Sequence, residues 1–211
     1  MSIAQPVVVV IGDVVGSRRA VDRAVLHAVV VDALEQVNRR WDGDLRITVG
    51  DEYQGTLPSL GAALTATVWL RLSLLPDHDV RHGIGRGTRT ALDPAAGIED
   101  GPAWWAARAA IDEARARAGR AATRAARTSY RVADGVDEPV AAVEAALLAR
   151  DELVGRLDER SLSVLGGLMS GRTQRELADE LDVSASAVSQ RVRHDAIGVV
   201  QTMTTWLEEL A

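Results

Sequence analysis

Apolar positions along the chain change period several times, and each change marks an element. Val7 to Ile11 form an unbroken β-branched run after Pro6, which predicts a central strand buried on both faces. Past the turn Gly12-Asp13-Val14-Val15-Gly16-Ser17, the residues Val21, Val25, Ala28, Val29 and Leu34 lie near helical spacing. They predict a helix from Arg18 to Asn38 with Ser17 as its N-cap. Leu45 to Leu57 alternates on both sides of Gly50-Asp51-Glu52 and predicts a β-hairpin. Pro58 opens a helix to Leu75 whose stripe is Leu60, Leu64, Val68, Leu72 and Leu75, and Pro76 ends it. Val80 to Gly87 carries Gly83, Gly85 and Gly87 at alternate positions, as in a strand that another backbone or a ligand approaches closely. Asp93 to Gly101 reads as a loop. Pro102 starts a helix with Trp104, Trp105, Arg108, Ile111 and Ala114, and Thr128 to Val132 reads as a short strand.

This order predicts an α+β fold: a ferredoxin-like, palm-type βαββαβ sheet with its helices on one face. The remainder reads as all-α. Val140, Val143, Ala146, Leu147, Val154 and Leu157 predict a linking helix and a candidate dimer contact. Leu162 to Met169 is a short helix stopped by Ser170-Gly171. Thr173 and Glu176 form a capping box that starts a helix to Leu181. Asp182-Val183-Ser184 then turns the chain into a helix from Ala185 to Ala196, with Val188 and Val192 placed to pack on Leu177 and Leu181 across small Ala178. Ile197 to Leu210 forms the last helix. The expected division is residues 1–134, 135–157 as helical linker, and 158–211 as a helix-turn-helix domain.

Composition narrows the chemistry. The chain has 211 residues and no cysteine, so disulfides and thiolate metal sites are excluded, and its four histidines show no zinc spacing. A metal here would be hard and oxygen-bound, magnesium or manganese. All 24 basic residues are arginine, which suggests a compositional bias and lowers the information in any one of them. A net charge of −6 argues against general coating of nucleic acid but leaves a local basic face open. Met1 to Val10 lacks the features of a signal peptide, and no apolar run reaches the ~20 residues of a membrane span; a cytoplasmic protein is expected.

Two acidic turns stand out. Asp13 follows the first strand and Asp51 sits at the hairpin tip, where carboxylates on neighbouring strands can share one divalent cation. A small-residue turn leading from a strand to a helix N-terminus also offers N–H groups to phosphate. Each Asp taken singly is equally a turn residue.

Together these motifs carry a resemblance. The apolar strand ending in Gly12-Asp13-Val14-Val15-Gly16-Ser17, the hairpin with Gly50-Asp51, the strand Arg81-His82-Gly83-Ile84-Gly85-Arg86-Gly87, and Gly101 before a small-residue helix with Arg108 resemble the palm domain of class III nucleotide cyclases. The chain is most similar to the cyclase-related SatD family, whose members add a C-terminal helix-turn-helix. The resemblance implies that Asp13 and Asp51 are metal ligands and that Val14, Val15, Gly16 and Ser17 cradle phosphates. Arg18, Gly50, Arg81 and Arg108 complete the implied site for a purine nucleotide. Three positions depart from the cyclase pattern: Ile47 stands where ATP cyclases keep a base-selecting Lys, Trp105 where they keep a ribose-orienting Asn, and Arg108 is one residue out of register. Asp51-Glu52 is also similar, more distantly, to the Gly-Gly-Asp-Glu-Phe diguanylate cyclases, with Val49 and Tyr53 replacing a Gly and the Phe.

The tail resembles the helix-turn-helix of sigma factors and bacterial regulators. That resemblance implies contact with double-stranded DNA through Thr173, Gln174, Ser184, Ser186, Ala187, Ser189, Gln190, Arg191 and Arg193. The expectation is a homodimeric, nucleotide-responsive transcription regulator. The alternatives are an active nucleotide cyclase or nucleotide-cleaving enzyme with a regulatory tail, and a degenerate domain used only for assembly.

Overall fold

The structure is a computed structural model that describes residues 6–19, 21–93, 95, 97–133 and 138–211. Its strands are β1 (Val7–Val14), β2 (Arg46–Val49), β3 (Glu52–Leu57), β4 (Val80–Gly87), β5 (Thr90–Asp93), β6 (Ile98–Asp100) and β7 (Thr128–Val132). The helices are α1 (Arg23–Trp41), α2 (Leu60–Leu74), α3 (Pro102–Ala118), α4 (Val140–Gly155), α5 (Glu159–Met169), α6 (Gln174–Glu180), α7 (Ala185–His194) and α8 (Ile197–Glu208). Five strands form one sheet in the order β2-β3-β1-β4-β7, and β5 pairs with β6 in a separate hairpin where a loop was expected.

β1 lies between β3 and β4, antiparallel to both, as its unbroken valine run predicts. Its side chains part to two faces. Val8, Val10 and Val14 join a core with Leu26, Val30, Leu34 and Val37 of α1 and Leu60, Leu64 and Leu70 of α2. Val9 and Ile11 pack on Ala103, Ala107 and Ile111 of α3. The sheet is therefore covered on both faces, not one. β7 runs parallel to β4, which requires a crossover, and α3 is that crossover. The glycines of β4 explain its seat: a Cβ on Gly83 or Gly85 would stand 2.3 Å from the carbonyl oxygen of Ala107 or Ala103. The close approach expected at this strand is that of a helix backbone.

Two other helical expectations are corrected. α1 begins at Arg23, capped by Asp22, whose carboxylate accepts from the N–H groups of Ala24 and Val25; Ser17 opens only a single 3-10 turn. Its buried face is Leu26, Val30, Ala33, Leu34 and Val37, whereas Val21, Val25 and Val29 are exposed. A helix this rich in valine offers two apolar stripes, and the sheet takes the one containing the leucines. α2, capped by Ser59, is buried on nearly every side, because helices cover the face that the sheet does not. Val68 and Leu72 share a core with Val154, Leu165, Leu177, Val188, Ile197 and Val200. Gly61 N–H donates to the carbonyl of Leu210 at 2.9 Å, seating α8 on the start of α2. The segment 158–211 thus packs continuously with α2. α4 is likewise built in, with Leu147 and Arg150 wholly buried. The expected boundary at 134/135 lies outside the described residues. Among the described residues no helix is long and apolar enough to cross a membrane.

Candidate functional site

Asp13 and Asp51 reach the same place by different routes. Asp13 lies one residue before the end of β1 on the α3 side of the sheet, in register with Arg81 of β4. Asp51 sits in the β2–β3 turn, which Gly50 makes possible by adopting φ +65°. Both line one cleft of about 530 Å³ with Val14, Gly16, Ser17, Arg18, Val49, Glu52 and Arg115. The expected metal pair and most of the expected phosphate turn are thus brought together, with Gly16 in the left-handed region at φ +74°.

Arginines dominate the electrostatics. Asp13 Oδ1 accepts from Arg81 Nε at 3.0 Å, and Oδ2 accepts from Arg115 Nη2 at 2.7 Å. The Arg81 side chain is 14% exposed and that of Arg115 is 54% exposed, so the first is part of the sheet and the second is a surface arm. Glu52 takes a bidentate pair from Arg108 at 3.0 and 2.8 Å. The Arg108 hydrogen bond holds the Glu52 carboxyl below its ordinary value against the opposing effect of burial. Arg108, expected on the nucleotide, is committed to the hairpin. Sequence reasoning missed Arg115, although it lies two helical turns beyond Arg108 on the same face of α3, and that spacing was the available signal.

The turn itself is partly spent. Val15 N–H donates to the carbonyl of Asp79 at 2.8 Å, and the N-terminus of α1 lies beyond Asp22 and does not follow Ser17 directly. Asp79 is anchored in turn: Arg71 Nε and Arg127 Nε each donate to its carboxylate at 2.7 Å, and Arg71 also reaches the buried Asp151 at 3.2 Å. Behind the cleft, Tyr53 OH and His82 Nε2 lie 2.7 Å apart in the core. Burial, with help from Arg71 and Arg150, lowers His82 to about 3. Gly12 is required here, since a Cβ would fall 2.2 Å from the Tyr53 ring. Of the departures from the cyclase pattern, Ile47 packs against the main core. Trp105 is 62% exposed and donates from Nε1 to Asp100 at 2.8 Å, while Trp104 packs against the α3 face of the sheet.

The donor set suits a hard cation. Among the described residues no three carboxylate or imidazole groups converge as a metal cage, but magnesium characteristically takes one or two carboxylates and completes its shell with water and substrate phosphate oxygens. Asp13 and Asp51 are the residues that could supply that minimum. Both Asp13 oxygens are engaged by arginines.

In the tail, Thr173 caps α6 with the full capping box, and Ser184 caps α7 through the N–H of Ala187 at 3.1 Å. Ser186, Gln190 and Arg193 are exposed, and Gln174, Ala187 and Ser189 are half-buried. Arg191 turns back onto Asp158, at 2.9 and 3.0 Å, and Ser161 Oγ, at 2.8 Å. Residues 158–211 hold nine carboxylates (Asp158, Glu159, Glu176, Asp179, Glu180, Asp182, Asp195, Glu208, Glu209) against five arginines (160, 172, 175, 191, 193). A basic face is the usual electrostatic footprint of DNA binding, and this segment has the opposite balance.

The strand order β2-β3-β1-β4, with α1 and α2 on one face, is that of a ferredoxin-like palm. The chain belongs to the SatD family, which it matches over residues 7–208. No curated protein matches it. Among solved structures it is similar to the dimeric guanylyl cyclase domain of the RhoGC fusion protein from the aquatic fungus Blastocladiella emersonii, at 16% identity and TM-score 0.41 over 52% of this chain and 74% of that one. The guanylyl cyclase Cya2 gives 12% identity and TM-score 0.43, covering 52% and 70%. The adenylyl cyclase CyaB from P. aeruginosa gives 13% identity and TM-score 0.36, covering 49% and 69%.

Proposed function

We propose that this protein binds a purine nucleoside triphosphate with magnesium or manganese between the β1 tip and the β2–β3 hairpin, and that it acts on the nucleotide's phosphates as a cyclase-type or nucleotide-cleaving enzyme. One observation carries the reading: carboxylates from two separate strands, a positive-φ glycine turn and the arginines 18 and 115 all face one cleft. Its volume of about 530 Å³ suits a small-molecule ligand. Asp13 and Asp51 would hold the cation, which supplies positive charge to phosphoryl oxygens. Arg18 and Arg115 bind phosphate oxygens, and the guanidinium fork makes such contacts directional. Asp79, locked by Arg71 and Arg127, fixes Val15 and so positions the turn.

Thermal shift and turnover assays test this. ATP or GTP with manganese should stabilise the protein and be converted slowly, and Asp13→Asn and Asp51→Asn should abolish both effects. If neither triphosphate stabilises the wild type at millimolar concentration, the proposal fails. Stabilisation without turnover leaves a sensor.

A second reading, nucleotide-dependent DNA binding by α6 and α7, is favoured by the capping box and the exposed Ser186, Gln190 and Arg193. Fluorescence anisotropy with duplex DNA, with and without nucleotide, tests it; equal and salt-insensitive weak binding in both states sinks it. The homodimer belongs to the same proposal, with the exposed Val21, Val25 and Val29 of α1 as the surface a second copy would cover. Light scattering of wild type and Val25→Arg reads that out.

A further inference from the structure

We infer that Arg115 is a latch that makes the cleft an anion site first and a cation site second, an inference that rests on the nucleotide reading above. The unliganded site is not an open carboxylate pair. Asp13 is bonded at both oxygens, to Arg81 and to Arg115, and Glu52 is bonded at both oxygens to Arg108. Counting the groups at the site, Asp13, Asp51, Glu52 and Asp112 stand against Arg18, Arg81, Arg108 and Arg115, four carboxylates matched by four arginines. A divalent cation arriving alone meets no excess of negative charge, and its best ligand is already occupied. A polyphosphate meets an exposed arginine, Arg115, that it can draw away from a carboxylate.

The two arginines on Asp13 differ in the freedom they have. Arg81 is the cross-strand neighbour of Asp13 in β4 and is largely buried, so its contact is set by the sheet register. Arg115 comes from α3, across the cleft, with a side chain 54% exposed, and it also lies 3.4 Å from Asp112. It can swing without disturbing the fold. A polyphosphate carries more negative charge than a single carboxylate and offers a guanidinium an equally directional charge-assisted partner. Transfer of Arg115 from Asp13 Oδ2 to a phosphate oxygen therefore grips the ligand and uncovers the carboxylate oxygen that a cation needs. Metal and phosphate binding become linked through one side chain, and the linkage is reciprocal.

The test uses the full chain with two separate probes, manganese alone followed by electron paramagnetic resonance, and inorganic tripolyphosphate alone, without metal, followed by calorimetry. Wild type should bind tripolyphosphate without metal and bind manganese weakly. Arg115→Gln should bind manganese at least tenfold more tightly and tripolyphosphate at least tenfold more weakly, while Arg115→Lys should restore most of the tripolyphosphate affinity. Circular dichroism melts confirm that both variants are folded. If wild type and Arg115→Gln bind manganese equally, or bind tripolyphosphate equally, the latch is wrong while the nucleotide site stands. If neither probe binds any of the three proteins, the latch and the nucleotide reading fall together.

Discussion

His82 offers a quantitative test of how the sheet is built behind the cleft. It sits at 0% exposure in β4, with Nε2 on Tyr53 OH and Nδ1 without a partner among the described residues. The charged groups that act on it are Arg71, Arg150 and Asp79, of which the arginines and the burial both oppose protonation. Its folded value of about 3 lies below the ordinary 6.5, so between those values the unfolded chain binds the proton and the folded chain does not. Stability must then rise with pH across that window and fall as the pH drops through 6.5. At about pH 5 the unfolded state gains roughly 1.5 units of proton binding free energy, which is about 2 kcal/mol at about 1.4 kcal/mol per unit. Urea unfolding of wild type and His82→Gln at about pH 7 and about pH 5 isolates this contribution, because the carboxylates common to both proteins cancel in the difference. The wild type should lose about 2 kcal/mol more than the variant over that range. Parallel losses in the two proteins would show that His82 takes up its proton as readily in the folded as in the unfolded state, and would refute the argument.

Two glycines test the packing directly. Gly85→Ala places a Cβ 2.3 Å from the Ala103 carbonyl; overpacking against backbone should cost about 3 kcal/mol or more in a urea melt, and unchanged stability would mean that α3 is not seated as described. Gly61→Ala places a Cβ 2.1 Å from the Glu208 carbonyl and should loosen α8 from α2, raising hydrogen exchange across 197–211 while the sheet stays protected.

How far the sequence reaches depends on the range of the interaction. Local patterns sufficed for β1, for the hairpin and its Gly50-Asp51 tip, for β4, for α3 starting at Pro102, and for the Thr173–Glu176 cap. Each of these depends on residues within a few positions of one another, and the alternation or cap is written there. The motif order also points to Asp13 and Asp51 lying near one another, since Asp13 is near the end of β1 and Asp51 directly precedes β3, the strand that pairs with β1. What the chain could not disclose locally is which of two apolar stripes on α1 faces inward, that α2 is enclosed on every side, and that the tail helices share its core. Those outcomes are decided by neighbours in other elements, from α2 against α1 to Gly61 and Leu210, far apart along the chain.

The same division runs through the site. The identity of the carboxylates and of the glycine turn is a matter of sequence, because only certain residue types tolerate those turns and offer that charge. Their chemical state is tertiary. Asp13 is neutralised by Arg81 because the β1–β4 register sets them side by side, and by Arg115 because α3 crosses over the far face of the sheet on a track of glycines. Arg108 is withdrawn to Glu52 by the same crossing. The sequence determined which carboxylates and arginines the cleft contains; the placement of α3 decided which of them are paired with one another.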